Sequence, residues 1–319
     1  MSSDPDVTTS RPPLDAVAAD RWLQGRVPGA WGGEAWLHGE VARRMESRLQ
    51  WMRQTPERWV DWSPSLGGWE AGTLLQQRYP RSQRVSVEPH PQRLARSRQQ
   101  LASPAWQFWK SAPVVQQQAP AGQAQMLWSN MALHAHPDPQ VLLREWHEAL
   151  AVDGFVMFSC LGPDSMRELR DVYAHLGWPP PTHAFTDMHD WGDLLVQAGF
   201  AEPVMDMERI TLTYGNAEAL LADLRALGRN LNETRHPGLR GRGWRQQLVT
   251  ALEGAGALNP SSGGNEREPD AAAGRRLHLT FEIIYGHALK PTPRARVAPQ
   301  TQVPLQDLKA MLGQRPNRG

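Results

Sequence analysis

Glu88 closes a short apolar run, RVSV (84–87), and a helix reads on from Pro91. A carboxylate just past a strand is placed to accept both hydroxyls of a ribose, which makes Glu88 a candidate cofactor contact. The alternative is a solvated acid at a strand end. Upstream, Asp61 lies in the run RWVDW and Gly67-Gly68 follow it. Glycines after a strand let backbone approach a cofactor, and a preceding acid orients it. Trp62, Ser63, Pro64 and Ser65 take the tight part, so the turn reads as longer than an acid-x-Gly-x-Gly-x-Gly loop and short of its early glycines. An ordinary Pro/Gly loop is the competing reading. Ser129-Asn130 ends another apolar run, QMLWSNM (125–131). That polar pair either touches a cofactor or substrate, or satisfies backbone groups at a strand end. His134, His136 and Asp138 have a spacing that suggests a metal pair, but no further ligand cluster accompanies them and no metal is expected. His134 remains a candidate pocket donor. Cys160 is the only cysteine and sits in an apolar run, which points to inert core and excludes an intramolecular disulfide.

Those residues need elements to hold them. The central stretch, 125–173, reads as strand, helix, strand, helix. QMLWSNM is long enough for one buried strand. Asp138 then caps a helix with proline just inside it, and Val141, Leu142, Trp146, Ala149 and Leu150 share one face. Asp153-Gly154 is expected to close that helix, FVMFSCL to form a second buried strand, and 164–173 the next helix. This spacing predicts a right-handed βαβ unit of a parallel sheet, with ligands bound beyond the carboxyl ends of the strands. Further on, 187–198 reads as a helix stopped by Gly199. Residues 216–230 read as an amphipathic helix with leucines at 220, 221, 224 and 227, and 277–289 as a long final strand. In 14–54, Val41, Met45, Leu49 and Met52 recur at helical spacing.

Composition narrows the class. The chain has 319 residues, 40% hydrophobic and 21% charged, which is ordinary for a soluble globular protein. A net charge of +1 gives no signal for nucleic acid or a membrane surface. No apolar run approaches the ~18 residues of a spanning helix. The amino-terminal residues are acidic and Ser/Thr-rich, without the basic-then-apolar pattern of a secretion signal, so a cytoplasmic protein is expected.

WSNMALH, LLREWHEAL and DGFVMFSCLGPDSMRELR together resemble the malonyl-acyl-carrier-protein O-methyltransferases of biotin synthesis, which are class I S-adenosylmethionine (SAM) methyltransferases. LLADLRALGRN (220–230) and LHLTFEIIYGHAL (277–289) are similar to that family's closing segments. The same stretches also resemble a methyltransferase-type assembly factor of mitochondrial complex I, an arginine hydroxylase. The resemblance implies an α/β fold: a seven-stranded, mostly parallel Rossmann-like sheet with a helical amino-terminal cap and a helical insert before the last strand. It implies SAM as cofactor, held by Asp61, Gly67, Gly68, Glu88, Ser129 and Asn130. It also implies an acyl carrier protein or CoA thioester as substrate. The acid that would read the adenine amino group is missing, since no Asp or Glu occurs between Glu88 and Asp138. An amino-terminal tyrosine of the family falls at Trp31. A carboxylate acceptor is already ionised at neutral pH, so methyl transfer to it needs alignment and a cation rather than a base. Arg167 and Arg170, after the LGPDS turn, are the candidate cations, with His134 beside them. Arg240, Arg242 and Arg245 would face an acidic carrier protein.

The resulting organisation is a disordered lead over 1–13, a cap over 14–54, a methyltransferase-like core over 55–215, a lid insert over 216–258, a flexible loop over 259–275, the final core strand over 276–290 and a loose tail over 291–319. The rival reading keeps this fold but gives up catalysis, leaving a binding or assembly factor. Arginine hydroxylation would need iron, and no iron ligand set is evident.

Overall fold

The computed structural model describes residues 14–25, 35–102, 114–254 and 276–293. The lead, Trp31, the 259–275 loop and residues 294–319 lie outside them. Seven strands form one sheet: β1 (Arg58–Trp62), β2 (Gln83–Val87), β3 (Val114–Gln116), β4 (Ala124–Ser129), β5 (Leu150–Leu161), β6 (Ala201–Tyr214) and β7 (Leu277–Leu289). Their order is β3-β2-β1-β4-β5-β7-β6. The first five run parallel, and β7 is antiparallel to both β5 and β6. This is the class I methyltransferase sheet, as the resemblance implied.

Among the described residues, ten α-helical segments surround it: α1 (Ala16–Leu23), α2 (Trp36–Arg48), α3 (Pro64–Gly67), α4 (Trp69–Arg78), α5 (Pro91–Gln100), α6 (Pro139–Ala149), α7 (Arg167–His175), α8 (Met188–Gln197), α9 (Ala217–Leu227) and α10 (Arg242–Gly254). Alternation along the strands sends side chains to two separate cores. Trp59, Trp128, Met157 and Tyr285 face α2, α4, α7, α9 and α10. Val60, Trp62, Leu127, Phe158 and Cys160 face α6 and α8, where Trp146 and Trp191 are buried. Trp59, Trp128, Trp146 and Trp191 are all fully enclosed, so these tryptophans are core.

Local chemistry explains the helix starts. Asp138 accepts from Val141 N at 3.0 Å with Pro139 behind it, and Asp187 and Asn216 cap α8 and α9 in the same way. Two expected boundaries are corrected. Asp153-Gly154 does not close α6, because Leu150 already pairs with Ala124 in the sheet. Asp153 instead sits at φ 63°, inside β5, where the register with β4 slips. Residues 164–166 are not helical either. Ser165 Oγ donates to Glu282 O at 3.0 Å and Met166 N to Thr280 O at 2.7 Å, so β7 holds this turn open and α7 starts at Arg167.

The chain entry is tied to the segment after α9. Asp15 N donates to Leu231 O at 2.8 Å, and Arg235 pairs with Asp15 at 2.5 Å. Leu14 and Asn232 form an isolated bridge. This places α1 over the carboxyl ends of β1, β2 and β4.

Candidate active site

The loop after β1 is not longer than the glycine pattern. From Asp61 the spacing acid-x-Gly-x-Gly-x-Gly falls on Ser63, Ser65 and Gly67. Ser63 adopts φ 51°, ψ 53°, the left-handed conformation that glycine takes at no steric cost. Gly67 lies so close to Asn130 that a Cβ would strike its carbonyl, and Gly68 is at φ 94°. Serines thus stand at two of the three glycine positions, Ser63 with a glycine-type dihedral, and Pro64–Gly67 form a short helical turn.

The six expected cofactor residues separate into two groups. Asp61 is buried and accepts two bonds from Arg84, at 3.0 and 2.5 Å. Burial pushes its carboxyl up, against the pull of the guanidinium charge. Asn130 donates to Gly67 O at 2.5 Å and His38 O at 3.0 Å, and accepts from Ser159 Oγ at 2.8 Å. Both side chains thus make bonds within the fold, Asp61 through Oδ2 and Asn130 through both ends of its amide.

Glu88 is different. Its Oε1 accepts from Ser65 N and Ser97 Oγ, each at 2.8 Å, while Oε2 is buried without a hydrogen-bond partner among the described residues. Burial raises its pKa, and the bonds from Ser65 and Ser97 oppose the shift. Arg93 roofs this corner by donating to Leu23 O at 2.5 Å and Trp22 O at 2.6 Å. Ser129 Oγ is likewise buried and unpartnered among the described residues.

Two adjoining cavities lie over the carboxyl ends of β4 and β5. The smaller, about 30 Å³, touches Trp22, His38, Leu66, Met131 and Ala132. The larger, about 110 Å³, is walled by Leu161, Met166, Leu169, Phe185 and Leu224. His134, His183, Leu227, Gly228 and Arg229 line both. His134 Nδ1 accepts from Leu161 N at 3.4 Å, which leaves the proton on Nε2. Burial, with His183 and His38 nearby, holds its pKa well below the ordinary value, so the ring is a neutral donor at pH 7. His134 thus lines both cavities.

Arg167 and Arg170 do not. Arg170 donates to Pro163 O at 2.6 Å, Arg167 is half-exposed beside Asp164, and neither lines a cavity. The arginine at the cavities is Arg229, which periodicity hid at the end of an amphipathic helix. Of the three basic-turn arginines, Arg245 pairs with Glu218, and Arg240 stacks over Trp244 with 4.5 Å from Cζ to the ring centroid. Among the described residues no group of three His, Cys, Asp or Glu side chains has metal-binding geometry. No helix among them is long and apolar enough to cross a membrane.

The residues fit the ribose end of a nucleoside cofactor. Glu88 Oε2 is an unused buried acceptor at the end of β2, beside a loop with glycine-type geometry. The space fits less well with α1 in this position, since about 30 Å³ is far below the roughly 300–1,000 Å³ of common ligand pockets.

Comparison with known sequences decides the family. A protein of Laribacter hongkongensis is 37% identical over 280 residues, covering 85% of this chain and 88% of the relative. One from Gallionella capsiferriformans is 35% identical, covering 86% and 91%. One from Nitrosospira multiformis is 33% identical, covering 83% and 87%. All three are named malonyl-[acyl-carrier protein] O-methyltransferase. The chain belongs to this family. No protein-family model matches it. Within the family frame, Ser63 and Ser65 are this chain's departures from the glycine loop pattern.

His38 gives a pH test of the site's packing. Burial lowers its pKa from 6.5 to about 4, so the folded protein holds it neutral while the unfolded chain protonates it. Its contribution is complete above pH 6.5 and is lost as pH falls toward 4. Glu88, with a raised pKa, acts with the opposite sign, so the comparison must be with a variant. Relative to His38→Gln, the wild type is expected to lose about 1.4 kcal/mol per pH unit across that window in urea unfolding. Parallel stability curves for the two proteins would show that His38 is not held neutral.

Proposed function

We propose that this chain is a SAM-dependent O-methyltransferase that esterifies the free carboxylate of a malonyl thioester, carried by acyl carrier protein or CoA, in biotin synthesis. Family membership supports the reading, and the observation that carries it is the unused buried oxygen of Glu88 at the ribose position. The cofactor supplies a methyl group on a sulfonium centre. Glu88 accepts the ribose hydroxyls, and the 63–68 loop passes beside the cofactor's amino acid part. The chain need not supply a general base, since the acceptor is already an anion at pH 7. Its work is to align the acceptor oxygen and exclude water, and the apolar walls from Leu161, Met166, Leu169 and Phe185 suit the second task. The α1 helix closes this side of the site: Trp22 lines the smaller cavity with Leu66, and its carbonyl accepts from Arg93.

One observation favours a second reading, a fold retained for binding partners without catalysis. Ser65 N already occupies one oxygen of Glu88, and Glu88 lines neither of the two cavities. One experiment separates the two. Calorimetric titration with SAM and S-adenosylhomocysteine, followed by mass analysis of malonyl-CoA and malonyl-carrier protein after incubation with SAM, is expected to show micromolar binding and a methyl ester. Well-folded protein that binds neither nucleoside leaves the partner-binding reading.

A further inference from the structure

We propose that the arginine-rich turn between α9 and α10 is the docking surface for an acidic carrier protein. The proposal rests on the methyltransferase reading above and names the face of the molecule that receives its protein-bound substrate. Residues 225–245 hold six arginines and one acid, Glu233, in a chain whose net charge is +1. Two of those arginines are engaged within the fold, Arg235 with Asp15 and Arg245 with Glu218. Arg225 and Arg242 are exposed, and neither has an ion-pair partner among the described residues. They flank the contact between the two helices. Arg245 pairs with Glu218, and Ala217 N donates to Glu253 Oε1 at 3.3 Å. Arg225 lies about two turns beyond Glu218 on α9, and Arg242 about one turn before Arg245 on α10.

The turn stands beside the larger cavity. Arg240 Cζ lies 4.5 Å from the Trp244 ring centroid and 5.4 Å from that of Trp178, which seats the turn on the segment after α7. That segment continues into Pro181 and Thr182, which line the cavity with Leu224 and Leu227 of α9. Asn230 Nδ2 donates to Pro180 O at 2.7 Å and Asn232 Nδ2 to Thr182 O at 3.2 Å, so the cavity wall and the start of the basic turn are bonded together. Leu239 is wholly exposed, with Arg240 beside it and Arg242 three residues on. A carrier protein brings its acyl group on a tethered arm, so it must sit within reach of the chamber that the acyl group enters. Exposed cations matched to an acidic partner steer the encounter and fix its orientation. An apolar side chain among them adds contact that a small thioester would not use.

The test compares two methyl acceptors for the full chain, malonyl-carrier protein and malonyl-pantetheine, which has the arm without the protein. Arg225→Glu combined with Arg242→Glu should raise KM for malonyl-carrier protein about 10- to 100-fold. KM for malonyl-pantetheine and the SAM dissociation constant should stay within about twofold of the wild type. In the wild type, KM for the carrier protein should rise with salt, and the double variant should lose most of that dependence. A wild type that makes no methyl ester from either acceptor would remove the methyltransferase reading and this surface with it. An active wild type whose double variant keeps its KM for the carrier protein, or raises KM for both acceptors alike, would overturn the surface alone. So would a double variant that changes the sedimentation of the free protein, since the turn would then be an interface between copies. Thermal melts verify folding. If the double variant does not fold, Arg225→Gln combined with Arg242→Gln decides, and unchanged KM with unchanged salt dependence overturns the proposal.

Discussion

Arg84→Met is expected to destabilise the protein by about 3–5 kcal/mol, because it leaves the Asp61 carboxylate buried without its partner. Asp61 is 2% exposed and Arg84 8%, so water cannot replace the lost guanidinium. The pair is enclosed from above by Gly72, where any Cβ would collide with the guanidinium, and Trp59 lies 5.6 Å from Cζ. At roughly 2–4 °C per kcal/mol for a chain of this size, the melting temperature should fall by about 10 °C. The double variant Asp61→Asn with Arg84→Met removes both charges and should recover most of the loss, since replacing a whole buried pair is often near neutral. Urea unfolding of these three proteins and of the Asp61→Asn single variant measures the coupling. An Arg84→Met variant within about 1 kcal/mol of the wild type would mean that Asp61 is free for another role, and would return it to the list of cofactor ligands.

Glu88→Ala is expected to weaken SAM binding about 100-fold, read by calorimetry. Two charge-assisted hydrogen bonds from ribose hydroxyls would each be worth about 1.5–3 kcal/mol, offset in part by their desolvation. The substitution also frees Ser65 N and Ser97 Oγ, so Glu88→Gln is the better control. It keeps the shape and one acceptor oxygen, and should fall between alanine and wild type. Equal affinity in all three proteins would show that the acid clasps the loop and does nothing for the cofactor.

Much of this architecture was legible because its signals are local. Asp138, Asp187 and Asn216 cap the helices that follow them, and RVSVE places an acid at a strand end by composition alone. The glycine loop was misread because a search for glycine tests residue type, whereas the fold requires a dihedral, and Ser63 meets it at φ 51°. The partner of Asp61 was not legible because it is set by strand register. Asp61 lies opposite Ser86 in β2, and Arg84 is two residues away on the same face. The turn before α7 was read as helix because the β7 carbonyls that hold it open lie more than a hundred residues downstream. Arg229 was passed over for a related reason. It follows the last leucine of α9 in sequence, and only the fold of that segment turns it into a cavity wall.

The position of β7 has a consequence for biosynthesis. The strand made last, Leu277–Leu289, lies inside the sheet, hydrogen-bonded to β5 on one side and β6 on the other. Until it leaves the ribosome, the facing edges of those two strands have no shared neighbour. The nascent protein therefore carries two open edges through most of its synthesis, a liability for edge-to-edge association. Completion of the sheet waits for pairings of high sequence separation, such as Phe155 with Leu289, which are slow to form. A chain that stops before residue 277 lacks more than a terminus. It lacks the piece that joins the parallel half of the sheet to its outer strand.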